Sequence, residues 1–171
     1  MKKKSAARKQ SFSWQDPLAS ADQSLALSGL EFLQRIAKGK IPLPPISVLM
    51  NVSDIEVEEG KVVFVAKPME CHYNPIGMVH GGFAATLLDS ALACSIHSRL
   101  PQGQAYTTLE LHTHYVRAIT ADVGVMRAEG KVVHMGSRVA TAEGRLTDSK
   151  GRLYAHATTT CMVFPVGQSH G

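Results

Sequence analysis

The sequence predicts an α+β domain in which an antiparallel β-sheet packs around one long central helix. Strand-like segments lie on both sides of residues 81–98, in the order two strands, one helix and a run of further strands. Residues 81–98 are rich in small side chains on several sides, which indicates that other elements approach this helix closely. The 171 residues, 44% of them hydrophobic, suffice for one domain with a sizeable core. This order of elements is typical of a helix packed against one sheet.

Residues 1–24 are polar and basic, and we expect a flexible tail there, followed by a single domain over residues 25–171. The formal net charge is +4, but the first ten residues carry five Lys or Arg and no acid, so the rest of the chain is close to neutral. A basic tail can contact nucleic acid or an anionic membrane. A solvated chain end is the more common role, and we expect neither partner.

Three cysteines lie far apart in the sequence, at Cys71, Cys94 and Cys161. The odd count and the lack of a Cys-x-x-Cys pair argue against a disulfide framework and against a zinc ribbon, and they suit a reducing compartment. The basic start lacks the apolar segment of a secretory signal. No apolar run approaches the roughly 18 residues of a transmembrane helix. We therefore expect a cytoplasmic protein.

The elements before the long helix follow from local patterns. Residues 28–38 predict an extra N-terminal amphipathic helix, because Leu30, Leu33, Ile36 and Ala37 share a face and Gly39 follows. Three prolines make residues 41–45 an extended connector. Residues 52–58 and 61–67 are predicted strands across a Glu-Gly turn, and residues 68–79 are a loop.

The elements after the long helix are predicted as strands. Residues 105–118 alternate, so that Leu109, Leu111, Thr113 and Tyr115 share one face. A second Glu-Gly pair, Glu129-Gly130, is interpreted as a turn between two short strands. The remaining predicted strands are residues 122–128, 131–135, 137–147 and 152–164, the last two forming a hairpin.

Sixteen residues at the start of the long helix carry the most informative chemistry. Asn74, His80, the pair Gly81-Gly82 and Asp89 bring together an amide, an imidazole, a glycine pair and a carboxylate. Asp89 stands inside a helix that is otherwise apolar. Burying a charge there is unfavourable unless a partner or a function compensates, so Asp89 is a candidate catalytic group.

This motif resembles the hotdog-fold thioesterases, and among them the PaaI-like (phenylacetate-degradation) family. The similarity covers roughly residues 40–165. It includes the family's Asn-x-x-Gly-x-x-His-Gly-Gly segment, here with Gly77, His80 and Gly81-Gly82, and the helical Asp89 that follows. The later segment of residues 136–157 is also similar to that family.

The resemblance implies hydrolysis of an acyl-CoA thioester, with an aromatic or medium-chain acyl group, and no cofactor. The Gly81 N–H at the helix start would polarise the thioester carbonyl, and Asp89 would act either as general base or as nucleophile. Two alternatives stay open. One is a non-catalytic acyl-CoA-binding sensor, which would not depend on Asp89, and the other is a hotdog hydratase or dehydratase.

Further residues are assigned two roles each. Asn74 either holds the attacking water or Asp89, or shapes the turn before Pro75. His80 either donates a hydrogen bond to the substrate or fixes the loop. The polar residue that the family places early in the strand after the helix matches Thr108, counted back from Tyr115, with Thr107 as the alternative.

Binding residues are less sharply predicted. Gly82 is a substrate-binding candidate, and Arg117 and Arg138 are candidates for the CoA phosphates or are simply solvated. Met50, Ile76, Met78 and Phe83 are either acyl-pocket or core residues. His112 and His114 have a metal-compatible spacing, but no third ligand is evident, and no metal is expected.

The resemblance also implies an oligomer. Family members form dimers with sites between two chains, often paired into tetramers, so we expect a homodimer or homotetramer with sites at the dimer interface. The predicted N-terminal helix would cover the acyl pocket or join dimers.

Overall fold

The computed structural model describes residues 6–166 and begins with three helices. These are α1 (Pro17–Leu25), α2 (Gly29–Ala37) and α3 (Pro45–Leu49). The predicted helix at residues 28–38 is α2, and a reciprocal capping box between Ser28 and Glu31 fixes its start. The predicted flexible tail overlaps α1, which Asp16 caps and which buries none of its residues. The first five residues of that tail lie outside the described residues.

A six-stranded antiparallel sheet packs against one long helix, α4 (Gly81–His97), so the predicted α+β architecture is confirmed. The sheet order is β1-β2-β4-β5-β6-β3, which places β3 at one edge. The strands are β1 (Val52–Glu58), β2 (Lys61–Ala66), β3 (Gln104–Tyr115), β4 (Met126–Met135), β5 (Val139–Asp148) and β6 (Leu153–Pro165). Within residues 6–166, no helix has the length and apolar character needed to cross a bilayer.

The predicted turn at Glu129-Gly130 is wrong, because both residues lie inside the continuous strand β4. Gly130 allows β4 to pack closely against α4. A Cβ atom at this position would lie 2.3 Å from the carbonyl oxygen of Ala91 in α4. Ala91 is itself fully buried. A small residue on the helix and a glycine on the strand therefore let α4 approach the sheet at backbone distance.

A β-bulge in β3 decides which side chains face α4. The pairing of β3 with β6 shifts register between Thr108 and Glu110, so Leu109 is the extra residue. Leu109 is 57% exposed, whereas Thr108 and Leu111 on either side are half-buried. The predicted shared face of Leu109 with Leu111 is therefore wrong, because strict alternation does not allow for the bulged residue.

Candidate active site

Asp89 lies midway along α4 and has a single hydrogen-bond donor among the described residues. The Thr108 hydroxyl donates to its Oδ1 at 3.1 Å. The same hydroxyl lies 3.9 Å from the Cys161 thiol, on the neighbouring strand β6. Within residues 6–166 no ion pair neutralises Asp89, which is half-buried. The structure thus presents a carboxylate that one hydroxyl orients and that keeps its second oxygen available.

His80 caps the start of α4. Its Nδ1 accepts a hydrogen bond from the Gly82 N–H at 2.8 Å, so in this arrangement Nδ1 carries no proton. Gly82 is a binding candidate whose N–H already has a partner. The preceding N–H, that of Gly81, has no hydrogen bond in the described part of the chain. A free N–H at the positive end of a 17-residue helix is suited to hold a negative oxygen.

Asn74 shapes the loop before α4. Its Oδ1 accepts hydrogen bonds from the N–H groups of Ile76 and Met78, both at 3.1 Å. This is the turn-forming geometry of an Asx motif. Asn74 also lines an open groove that includes Gly81.

Tyr115 is a site residue that the sequence pattern did not reveal. A Cβ atom at Gly81 would lie 3.2 Å from Cζ of Tyr115, so the phenol ring covers the start of α4. Arg117 lines the same groove, and its guanidinium lies 5.7 Å from the centre of the Tyr154 ring. Arg138 is exposed between β4 and β5, outside this groove.

A second depression, a cavity of about 550 Å³, opens at Asp89. The helices α1, α2 and α3 with residues 42–44 form one wall, and α4 with β1, β2 and β3 forms the other. Phe32, Ile36, Leu43, Ile55, Phe64 and Ala93 make it apolar. None of Met50, Ile76, Met78 and Phe83, predicted to be either acyl-pocket or core residues, lines this cavity. Phe83 is core and stacks on His72, Met50 packs against that core, and Ile76 is 75% exposed.

The far end of the cavity is polar but uncharged. Cys94, His97 and Tyr106 meet there, with the His97 ring between those of Phe32 and Tyr106 at centroid distances of 5.7 and 5.1 Å. Burial lowers the pKa of His97 to about 4 and raises the pKa of Cys94 to about 12. Burial also raises the pKa of Tyr106. All three groups are therefore neutral near pH 7.

We expect this buried histidine to make stability depend on pH. Unfolded His97 binds a proton near its ordinary pKa of 6.5, while the folded state resists protonation until about pH 4, so stability falls as the pH drops through this window. The loss between pH 7 and pH 5 is about 2 kcal/mol. Urea unfolding of the wild type and of His97→Phe at both pH values checks this. Equal losses in the two proteins would contradict it.

Gly81 and Asp89 do not meet within one chain. They are eight residues apart on α4, which corresponds to about 12 Å along the helix axis. Gly81 and Asn74 line the groove, whereas Asp89 and Thr108 line the cavity. A carbonyl carbon under attack lies a bond length from its oxygen. These two groups of the same chain therefore do not act on one carbonyl.

The histidines with metal-compatible spacing have other neighbours. His112 Nε2 lies 3.0 Å from Glu110 on the same strand, and His114 stacks on His156 at 4.8 Å. Across residues 6–166, no group of three or more His, Cys, Asp or Glu side chains is arranged to hold a metal ion.

Three comparisons place the chain among known proteins. The family described as the Thioesterase superfamily matches residues 76–155. A phenylacetic acid degradation-related protein from Ralstonia eutropha JMP134 has a crystal structure that superposes with a TM-score of 0.68 at 27% identity, over 76% of this chain and 98% of that one. A 1,4-dihydroxy-2-naphthoyl-CoA hydrolase from Listeria monocytogenes is 23% identical over 67% of this chain and 91% of its own length.

A relative from Halobacterium salinarum, named as a candidate esterase, is 41% identical over 69 residues. That match covers 39% of this chain and 44% of the relative, so the chain spans less than half the length of this protein.

Proposed function

We propose that this chain, which has the hotdog fold and matches the Thioesterase superfamily over residues 76–155, hydrolyses an acyl-CoA thioester to the free acid and CoA. One observation carries the proposal. The Asp89 carboxylate has one orienting hydroxyl and no cationic partner in the described structure, and it stands where an apolar cavity opens. The Listeria relative, named as a CoA thioester hydrolase, supports the substrate class.

Asp89 supplies the attacking group in this proposal. As a general base, it takes a proton from water while the water oxygen bonds to the thioester carbonyl carbon. The C–S bond then breaks, CoA leaves as a thiolate, and the proton passes on to the sulfur. As a nucleophile, Asp89 itself bonds to the carbonyl carbon, the C–S bond breaks and CoA leaves as a thiolate, and water then hydrolyses the mixed anhydride to the free acid and the Asp89 carboxylate. Thr108 holds Oδ1 in both versions and leaves Oδ2 for the reaction.

The Gly81 N–H stabilises the negative charge that develops on the carbonyl oxygen. It combines a free donor with the positive end of the α4 dipole. Asn74 orients the attacking water through its amide nitrogen. His80 has a positioning role, because its Nδ1 holds the Gly82 N–H and fixes the first turn of the helix. Arg117, which borders the groove, binds a CoA phosphate, with Arg138 and the Gly82 backbone as further contacts.

Each site in this proposal combines two chains. The Asp89 and Thr108 of one copy face the Gly81 and Asn74 of a second copy, since the two groups lie in separate depressions of one chain. The edge strand β3 is the natural contact, because one side of it has no strand partner in the described part of the chain, and because it carries the exposed Leu109 and Tyr115. The assembly is a homodimer, or a homotetramer of two dimers.

Mixing two inactive variants tests the shared site. Asp89→Asn lacks the carboxylate, and Gly81→Pro lacks the N–H donor. In co-expressed dimers one of the two sites in each heterodimer keeps both groups, so about a quarter of the wild-type activity returns after random pairing. Steady-state assays of the purified mixture measure this return.

Light scattering on the same samples supplies the control, since an 18.4 kDa species at assay concentration would rule out any shared site. A dimeric mixture that stays as inactive as its parents would place both groups of a site in one chain.

Two other functions remain as alternatives. A non-catalytic acyl-CoA sensor would use the cavity and the Gly81 contact without needing Asp89. A hydratase or dehydratase would need an acid and a base around a β-carbon, and His80 is poorly placed for this because its Nδ1 is engaged by Gly82.

The deciding experiment incubates the pure protein with short, long and aromatic acyl-CoA thioesters in the presence of a thiol-trapping dye. Release of free thiol by the wild type and not by Asp89→Asn supports hydrolysis. Binding by calorimetry without any thiol release would favour the sensor.

A further inference from the structure

We infer that α1 and α2 form one wall of the acyl pocket, and that this pocket selects an uncharged, apolar acyl group of medium length. The inference rests on the proposed function, because the cavity opens at Asp89. It adds the kind of acyl group that the site accepts and the residues of α1 and α2 that determine this selectivity.

The orientation of α1 is the first argument. A helix that only covers a core turns its large apolar residues inward. In α1 the reverse holds, since Leu18 is 72% exposed and Leu25 is 51% exposed. The residues that line the cavity are small or short, at helical spacings of three and four: Pro17, Ser20, Ala21 and Ser24. This inward face leaves space that larger side chains would fill.

The second argument is the length of the cavity. Asp89, Ala93 and His97 recur every four residues and line its α4 wall. The distance from Asp89 to His97 along the helix is about 12 Å. With the thioester at Asp89, this length suits a medium-chain acyl group or a substituted aromatic ring, and a palmitoyl chain is too long for it.

Charge is the third argument. Asp89 is the only Asp, Glu, Lys or Arg among the described residues that line the cavity. Cys94, His97 and Tyr106 at the far end are neutral near pH 7, and burial moves the pKa of each of them further from that pH. A second carboxylate on the acyl group would meet no cation there and would be repelled by Asp89. Succinyl-CoA and similar thioesters are therefore rejected.

The test fills the cavity from the α1 side. Ala21→Trp places an indole over the cavity from an exposed helix position, and Ala19→Trp is the matched control on the same helix, outside the cavity lining. We expect Ala21→Trp to lower kcat/KM for octanoyl-CoA and decanoyl-CoA by about tenfold or more, while butyryl-CoA changes by no more than about twofold. Ala19→Trp keeps the wild-type profile. Ala93→Leu, which fills the opposite wall, shifts the preference in the same direction.

Two results would overturn the inference. One is an unchanged chain-length profile in Ala21→Trp and Ala93→Leu, and the other is efficient hydrolysis of succinyl-CoA by the wild type. If the wild type hydrolyses no thioester, the proposed function fails. Calorimetry with octanoyl-CoA then tests separately whether the cavity binds an acyl chain. Binding by the wild type and by Ala19→Trp, but not by Ala21→Trp, supports the pocket. Equal binding or no binding by all three proteins refutes it.

Discussion

Replacing Asp89 by asparagine is expected to lower kcat by about a thousandfold or more, because the proton acceptor or nucleophile is lost. Asparagine has the same shape, and its Oδ1 can still accept the Thr108 hydroxyl, which donates at 3.1 Å in the native site. The fold and acyl-CoA binding should therefore remain. In one preparation, thiol release measures kcat, circular dichroism reports the fold, and calorimetry measures acyl-CoA binding.

The matched control is Asp22→Asn, which removes an exposed carboxylate from α1 outside the cavity lining. It should behave as the wild type. If Asp89→Asn keeps more than about a tenth of the wild-type kcat, Asp89 is not the group that the reaction depends on. Rapid acid quenching of the wild type separates the two chemical roles. An acyl adduct on the intact protein identifies a nucleophile, and product acid forming with no adduct in a quenched single turnover is the result expected for a general base.

The second large effect is expected from Gly81→Pro, which removes one N–H and adds a pyrrolidine ring at the first residue of α4. Proline is favoured in the first turn of a helix, and His80 before it has the extended backbone, with φ −60° and ψ 139°, that a residue preceding proline adopts. The helix should therefore form normally. Loss of one oxyanion donor lowers kcat by about 10²–10³-fold, or roughly 3 kcal/mol.

Gly81→Ala separates the donor from the side chain. Both variants add a Cβ atom that approaches the Tyr115 ring at 3.2 Å, and this exposed ring can shift by a few tenths of an ångström. Only the proline variant loses the N–H. Steady-state kinetics should thus show a far larger loss for proline than for alanine. Equal losses would mean that crowding at Tyr115, and not the missing donor, causes the effect.

Much of the candidate site was predictable because its chemistry is local in the chain. His80, Gly81 and Gly82 are consecutive, and the N-terminus of a helix exposes free N–H groups in any fold. Asp89 follows at a helical offset, so its place on α4 needed no tertiary information. The same locality explains the prediction of α2, where Ser28 and Glu31 cap each other within one turn.

The two Glu-Gly pairs show that a turn cannot be predicted from neighbouring residues alone. Gly60 has a positive φ of 77° and forms the predicted turn between β1 and β2. Gly130 follows a glutamate in the same way, yet it lies within β4 because α4 approaches it at backbone distance. Both glycines look alike in the sequence. The difference is set by a helix some forty residues earlier in the chain.

The sequence by itself determined the order of the elements, the long helix, and the amide, imidazole, glycine and carboxylate at its start, because these depend on neighbours within a few residues. The tertiary structure alone decided which threonine meets Asp89, since a bulge in β3 turns Thr108 inward. It also decided that Tyr115 covers Gly81 and that the small face of α1 borders a cavity. Each of these depends on contacts between residues far apart in the chain, and such contacts leave no periodic signal in the sequence.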